Sequence, residues 1–454
     1  MVRTTVAAFG FLGAFAVVSI QVPQFFAVSY DATAPAPVPE SVVSEVVTAE
    51  EPVTPVVDDR PVVAHVPLPK QVKNIYMTSC VAGTPSFRAD LIELIEETEI
   101  NSVIIDIKDY SGTISYPTEL AAWKPAWQNA RCGTRDMREL VALLHRKGVF
   151  VIARITVFQD PFYTQSRPDL AVKKADGVTV WKDYKGLSFI DVAAKEYWDY
   201  IVALSAEVYN LGFDELNFDY VRYPSDGPMN DIAFPHSMAG EYGADKQANL
   251  EAFFKYLSEQ LDDEELFAAY RHENTGRASS TPWTSADLFG MTTTNTDDLS
   301  IGQVIERAAP YFDFIAPMVY PSHYPDSFLG LGDPNDYPYK VVNYAMRSGV
   351  ERMIASTTLV QGFLHEKETY TNASGTVMYT GKYTKPVYDA SKLRTWIQDF
   401  DYGGDYDAAD VRAQIQASYD AGVDSWMVWA PSNRYTRAAF KSAAENDVSS
   451  QVSE

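Results

Sequence analysis

The chain has 454 residues, 46% of them hydrophobic and 13% aromatic, enough to fill one large core or two ordinary ones. Its 37 Lys and Arg stand against 61 Asp and Glu, a formal net charge of −24. A duplex-binding surface needs clustered cations to release counterions from phosphates, so no nucleic-acid partner is expected.

Arg3 precedes an apolar stretch over residues 6–20, and a second apolar patch follows at residues 25–28. A basic start, an apolar run and the small residues Ala27 and Ser29 read as a secretory signal over residues 1–29. The competing reading is an uncleaved membrane anchor, interrupted by Gln21, Pro23 and Gln24. Both put the remaining chain outside the cytoplasm, secreted or tethered to the cell envelope, and this segment is the only expected membrane contact. Residues 30–69 are rich in Pro, Val, Ala and Glu. Prolines forbid a helix or central strand and the glutamates repel one another, so a disordered, extended linker is expected there.

From Val72 short β-branched runs alternate with helical patterns, which is the mark of repeated βα units. Strands are predicted at residues 72–79, 102–109, 149–157, 213–223, 286–293, 312–320, 393–399 and 425–430. Helices are predicted at 87–98, 135–147, a long segment ending near Leu261, 339–355 and 409–421. Eight alternating units argue for a single (β/α)8 TIM barrel over residues 70–441, followed by a disordered tail at 442–454. Residues 354–363 compete with 393–399 for the seventh strand. Cys80 ends the first strand and Cys132 lies in the loop after the second. Both belong at one mouth of the barrel, close enough for a disulfide in an oxidising compartment.

Strand parity identifies the inward face. Val103, Ile105 and Ile107 face the helices, which turns Asp106 and Lys108 inward; Val151, Ala153 and Ile155 do the same for Arg154. On the fourth strand Leu216, Phe218 and Tyr220 take the helix side, leaving Glu215, Asn217 and Asp219 inside. Trp396 and Gln398 point inward on the seventh. Barrel interiors are normally Val, Ile and Leu, and charges there cost several kcal/mol unless paired. One reading of Lys108, Arg154 and Glu215 is therefore a salt-bridge network, and Lys108, Arg154 and Asn217 are the inward candidates for substrate contacts. Asp219 sits latest on its strand, at the C-terminal mouth where barrel enzymes place their chemistry.

Residues 212–224 (GFDELNFDYVRYP) resemble the fourth-strand motif of a glycosyl hydrolase-like barrel family of unassigned activity. Residues 103–112 (VIIDIKDYSG), 316–324 (APMVYPSHY), 394–400 (RTWIQDF), 411–415 (VRAQI) and 426–435 (WMVWAPSNRY) are similar to it in the same order. The resemblance spans about residues 72–440 and implies a carbohydrate substrate. It also implies that Asp219 is a nucleophile, with Arg222, Tyr320, His323, Trp396, Gln398 and Trp429 lining a sugar cleft. The chain departs from the family in having Thr395 where proline is common. It also inserts about thirty residues before the seventh strand, with Tyr370, Tyr379, Tyr383 and Tyr388, which suggests a lid or subsite.

Glycosidic cleavage uses two carboxyl groups, one of them protonated to serve the leaving oxygen. Asp219 suits the first role. Asp106 and then Asp109 are the candidates for the second, with Asp297 or Asp298 from the fifth-strand loop behind them. Neither a metal site nor a cofactor is expected: the six histidines show no paired spacing, and no phosphate loop or nucleophile elbow stands at a strand end. The leading expectation is an exported or envelope-associated glycoside hydrolase acting on a polysaccharide or cell-surface glycan. A catalytically inactive glycan-binding barrel is the alternative and a structural scaffold the third reading. Nothing in the pattern specifies an oligomeric state.

Overall fold

The computed structural model describes residues 58–444. The expected signal or anchor over 1–29, residues 30–57 of the linker and residues 445–454 of the tail lie outside the described residues.

Eight parallel strands close into a barrel: β1 Lys73–Met77, β2 Ser102–Lys108, β3 Phe150–Thr156, β4 Glu215–Asp219, β5 Trp283–Phe289, β6 Phe314–Met318, β7 Thr395–Gln398 and β8 Trp426–Trp429. Neighbours pair in chain order, and β8 returns to β1. Helices follow seven of the strands: α1 Pro85–Glu97, α2 Met137–Arg146, α3 Lys195–Leu211, α4 Lys246–Leu261, α5 Ile305–Ala308, α6 Pro338–Ile354 and α7 Ala408–Asp420. Local chemistry sets their ends. Asp245 caps the Ala248 N–H, Asp407 and Asp410 form a reciprocal capping box, and α3 stops at Gly212, whose φ of 112° suits glycine.

Val103, Ile105, Ile107, Val151, Ile155, Leu216 and Phe218 pack into the layer between strands and helices. Each such side chain contributes roughly 1.5–3 kcal/mol when withdrawn from water. A smaller apolar cluster inside the barrel includes Ile104, Phe150, Ile152 and Trp396.

The expected parity breaks at two places. The pairing of β2 with β3 shifts register between Asp106 and Lys108, so Lys108 no longer shares the face of Asp106. Tyr220, expected on the helix side, has a φ of 53° and lines the central cavity instead. A left-handed residue ends the strand and swings its side chain out of alternation.

The segment before β1 also departs from the expected linker. Val62–Ala64 forms a short strand parallel to Arg271–Glu273, and both Val63 and His65 are buried. Prolines 61 and 67 flank this strand without interrupting it, which an edge position tolerates. Asp214 holds the strap in place. Its carboxylate accepts from Val66 N at 2.9 Å, Val151 N at 2.7 Å, His145 Nε2 at 3.0 Å and His65 Nδ1 at 3.2 Å. Burial raises its carboxyl pKa, but the bonds from His145 and His65 outweigh that and leave it below the usual carboxylate range.

The insertion before β7 is an antiparallel hairpin, Glu366–Thr371 with Val377–Thr384, extended by Thr357–Thr358. It leaves from the α6–β7 connection, and its leading end rests on the start of α4 and the loop before it: Phe363 N donates to Glu251 Oε1 at 2.8 Å, and its ring lies 5.3 Å from that of Tyr242. Tyr370, Tyr379, Tyr383 and Tyr388 are not among the residues lining the cavity or the groove beside it.

Asp214→Ala should cost roughly 3–5 kcal/mol at pH 7, because several buried donors lose one acceptor. A depressed carboxyl stabilises the fold above its unfolded value near 4, and that gain is lost as pH falls through the folded value. Urea denaturation should therefore show the two proteins converging in acid. A difference under about 1 kcal/mol at pH 7 would mean that Asp214 does not hold the strap.

Candidate active site

The C-terminal mouth of the barrel opens into a cavity of about 290 Å³. Its charged floor begins with Arg154 on β3. The Arg154 guanidinium donates Nη1 to Asp106 Oδ1 at 2.6 Å, Nε to Asp219 Oδ2 at 3.0 Å, and Nη2 to that same Asp219 oxygen. Asp106 also accepts from the Tyr76 hydroxyl at 2.5 Å, so both its oxygens are engaged. Burial raises the Asp106 pKa against the opposing pull of Arg154. Asp106 stands behind Arg154 and is not among the residues lining the cavity. Asp219 is bound on its other side, where Oδ1 accepts the Tyr220 N–H at 2.6 Å. The left-handed backbone at Tyr220 places that N–H beside the carboxylate; such conformations cost of order 1–3 kcal/mol and cluster at functional sites.

A second carboxyl group, Asp287, lies beside Asp219 and was not among the residues expected at the site. Asp287 is on β5, where Asn217 pairs with Ser285 and Phe218 with Ala286, so the next step sets Asp219 level with Asp287. Neighbouring strands run about 4.8 Å apart. Asp287 Oδ1 accepts from Asn217 Nδ2 at 2.9 Å and Trp396 Nε1 at 2.8 Å. Its Oδ2 has no hydrogen bond among the described residues and is not sealed from the cavity. Burial, reinforced by the neighbouring Asp219 charge, pushes Asp287 up to about 8. The same alternation that placed Asp219 was available here: Ala286 and Leu288 face the helix layer, which turns Ser285 and Asp287 inward.

Arg222, Tyr320, His323, Trp396 and Trp429 complete the wall with Tyr220 and Phe289. Tyr320 lies 5.0 Å from Trp429 and 5.3 Å from His323, ring centre to ring centre. Burial lowers the His323 pKa, which favours a neutral imidazole. His323 and Trp429 also border an open groove of about 850 Å³ with Phe400, Tyr402 and Tyr406.

Other expected site residues lie elsewhere. Lys108 is fully buried and pairs with Asp160 at 3.0 Å, a consequence of the β2 register shift. Asp109 accepts from the Ser111 N–H and hydroxyl in a turn. Asn217 supports Asp287 from below, also reaching Ser285 at 2.9 Å. Gln398 is buried and accepts from the Ser322 hydroxyl at 2.7 Å. Asp297 and Asp298 cap backbone N–H groups in a surface loop. Glu215 pairs with Arg394, both contacts 2.7 Å, as an interior salt bridge. Cys80 and Cys132 form a disulfide with Cα atoms 4.6 Å apart. Among the described residues no group of three or more His, Cys, Asp or Glu is placed to hold a metal ion.

A parallel barrel with two carboxyl groups at its mouth is an arrangement that barrel glycosidases use. The family model described as "Putative glycosyl hydrolase domain" matches residues 74–392 and 366–435, and the chain belongs to that family. No curated protein sequence matches the chain. The PgaB (BpsB) glycoside hydrolase domain from Bordetella bronchiseptica is similar in fold, with 13% identity over 82% of this chain and 98% of that one, at a TM-score of 0.51. A hypothetical protein from Ruminiclostridium thermocellum is 27% identical over 44% of this chain and 98% of its own, with a TM-score of 0.37.

A carboxyl raised in the folded state binds its proton where the unfolded chain has lost it, so stability falls as pH rises from about 4 toward 8. Asp287→Asn keeps both hydrogen bonds to Oδ1 and removes that penalty. Its stability relative to the unchanged protein should grow with pH across this window, by at most about 1.4 kcal/mol per pH unit. A constant difference between pH 4 and 8 in urea titrations would contradict the raised value.

Proposed function

We propose that the protein is an exported, retaining glycoside hydrolase of a polysaccharide or cell-surface glycan, with Asp219 as nucleophile and Asp287 as acid and base. The observation that carries this reading is the contrast between two adjacent carboxyl groups. Asp219 is salt-bridged to Arg154, while Asp287 is held up to about 8 with one oxygen free. Environments that separate two carboxyl groups in this way assign the base and the acid.

In the first step Asp219 attacks the anomeric carbon while Asp287 delivers its proton to the departing oxygen, leaving a glycosyl ester on Asp219. In the second, Asp287 takes a proton from water as the hydroxyl attacks that carbon and the ester bond to Asp219 breaks. Positions level with one another on adjacent strands suit the short separation of retaining enzymes, about 5–5.5 Å, rather than the wider gap that admits a water. Arg154 keeps Asp219 aimed, and the wall of Tyr320, Trp396 and Trp429 offers apolar faces to the sugar. The groove beyond His323 and Trp429 gives a polymer room to continue past the cleavage point. Export is supported by the Cys80–Cys132 disulfide, which persists in oxidising compartments.

Asp219→Asn should reduce turnover by on the order of 10³-fold or more while leaving the fold intact, read as reducing ends released from a glycan panel. Asp287→Asn should abolish cleavage of natural glycosides, while an aryl glycoside whose leaving group needs no proton should give one rapid burst of aryl alcohol followed by slow turnover, because the glycosyl ester then lacks its base. The kcat/KM profile should fall on its alkaline side near pH 8. A barrel that only binds glycan would release no reducing ends, and Asp219→Asn would then change affinity alone.

A further inference from the structure

We propose that the sugar accommodated in this cavity carries a single anionic substituent, a carboxylate or a sulfate ester, and that Arg222 receives it. The inference rests on the glycosidase reading of the same site.

Arg222 is only 8% exposed, yet it lines the cavity and has no carboxylate within ion-pair distance among the described residues. The other cations within the barrel are matched: Arg154 by Asp106 and Asp219, and Arg394 by Glu215. Arg222 uses only Nη1 in hydrogen bonds, to Tyr223 O and Ser225 Oγ, both at 3.1 Å. Nε and Nη2 have no partner among the described residues and are not sealed from solvent. The rings of Tyr220 and Phe289 each lie 4.8 Å from the guanidinium carbon. Aromatic faces hold a cation without using its N–H donors, so the edge of the guanidinium stays available. Burial lowers the Arg222 pKa, the direction expected of a charge whose solvation has not been fully replaced.

A buried, unpaired charge is costly, and proteins keep one where a ligand completes it. A planar guanidinium with two free N–H groups matches two oxygens of a carboxylate or sulfate in a bidentate pair. A neutral hydroxyl would meet one donor and leave the charge uncompensated. Asp219 does not take the role, because its oxygens are committed to Arg154 and the Tyr220 N–H. The net charge of −24 argues for one charge on an otherwise neutral glycan rather than a polyanion, since repulsion accumulates with every further anionic residue.

The test uses the full-length chain and three matched sets of aryl glycosides in the gluco, galacto and manno series: neutral hexosides, hexuronides and sulfated hexosides. One charged set should exceed its neutral counterpart in kcat/KM by about 10²-fold or more, as expected when a site built for a polar group rejects the analogue lacking it. Whichever set wins distinguishes carboxylate from sulfate. Arg222→Gln should collapse the charged-to-neutral ratio toward one and Arg222→Lys should restore part of it, with melting curves confirming folding. If neither variant folds, the ratio in the unchanged protein decides. Asp219-dependent turnover with neutral hexosides equal to or better than both charged sets overturns the anion site and leaves the glycosidase reading standing. Arg222-dependent binding of a charged glycoside without turnover of any set supports the anion site and overturns the glycosidase reading. Neither binding nor turnover of the charged sets overturns the anion site.

Discussion

Arg154 is the residue on which the mouth of this barrel depends. It stands on β3 between two carboxylates, Asp106 on β2 and Asp219 on β4, and spends its fork of donors on both. Strands pair through their backbones whatever their side chains, but three charged groups turned into one interior must neutralise each other or open the barrel. The bridge resolves that problem and, in doing so, fixes Asp219 in one orientation. Tyr220 secures the opposite oxygen, at the cost of a strained backbone. The position of every other functional group is read relative to this carboxylate.

Asp287 shows the consequence. A carboxyl group placed level with Asp219 and largely buried cannot easily share its charge state, and burial together with that neighbour raises its pKa. Asn217 and Trp396 hold one oxygen, which leaves the other for the cavity. The two groups are chemically alike in sequence, and their surroundings alone make them different.

Much of this was legible from residue order. Alternation along β2, β3 and β4 put Asp106, Arg154, Glu215, Asn217 and Asp219 inside, because one face of each strand must meet the helices. It failed at Lys108 and at Tyr220, where a register shift and a left-handed residue break the period of two. Neither event has a sequence marker such as glycine at the position concerned. Asp287 was within reach of the same argument, since Ala286 and Leu288 set the phase of β5. The strap at Val62–Ala64 was hidden by its prolines, and its anchor Asp214 lies 148 residues away from Val66, a contact no local pattern marks. The ion pair of Glu215 with Arg394 joins β4 to the residue before β7, a contact set by barrel closure rather than by any local pattern.

The central claim is that Asp219 forms and then loses a bond to sugar. It is tested most directly by trapping that bond with a 2-deoxy-2-fluoro glycosyl fluoride matched to the sugar the protein turns over. Fluoride leaves, the electron-poor ring slows hydrolysis, and the adduct persists for peptide mass mapping. The account predicts one adduct per chain, on the peptide carrying Asp219 and lost in Asp219→Asn. An adduct on Asp287 or on another carboxylate, or turnover without any adduct, would contradict it.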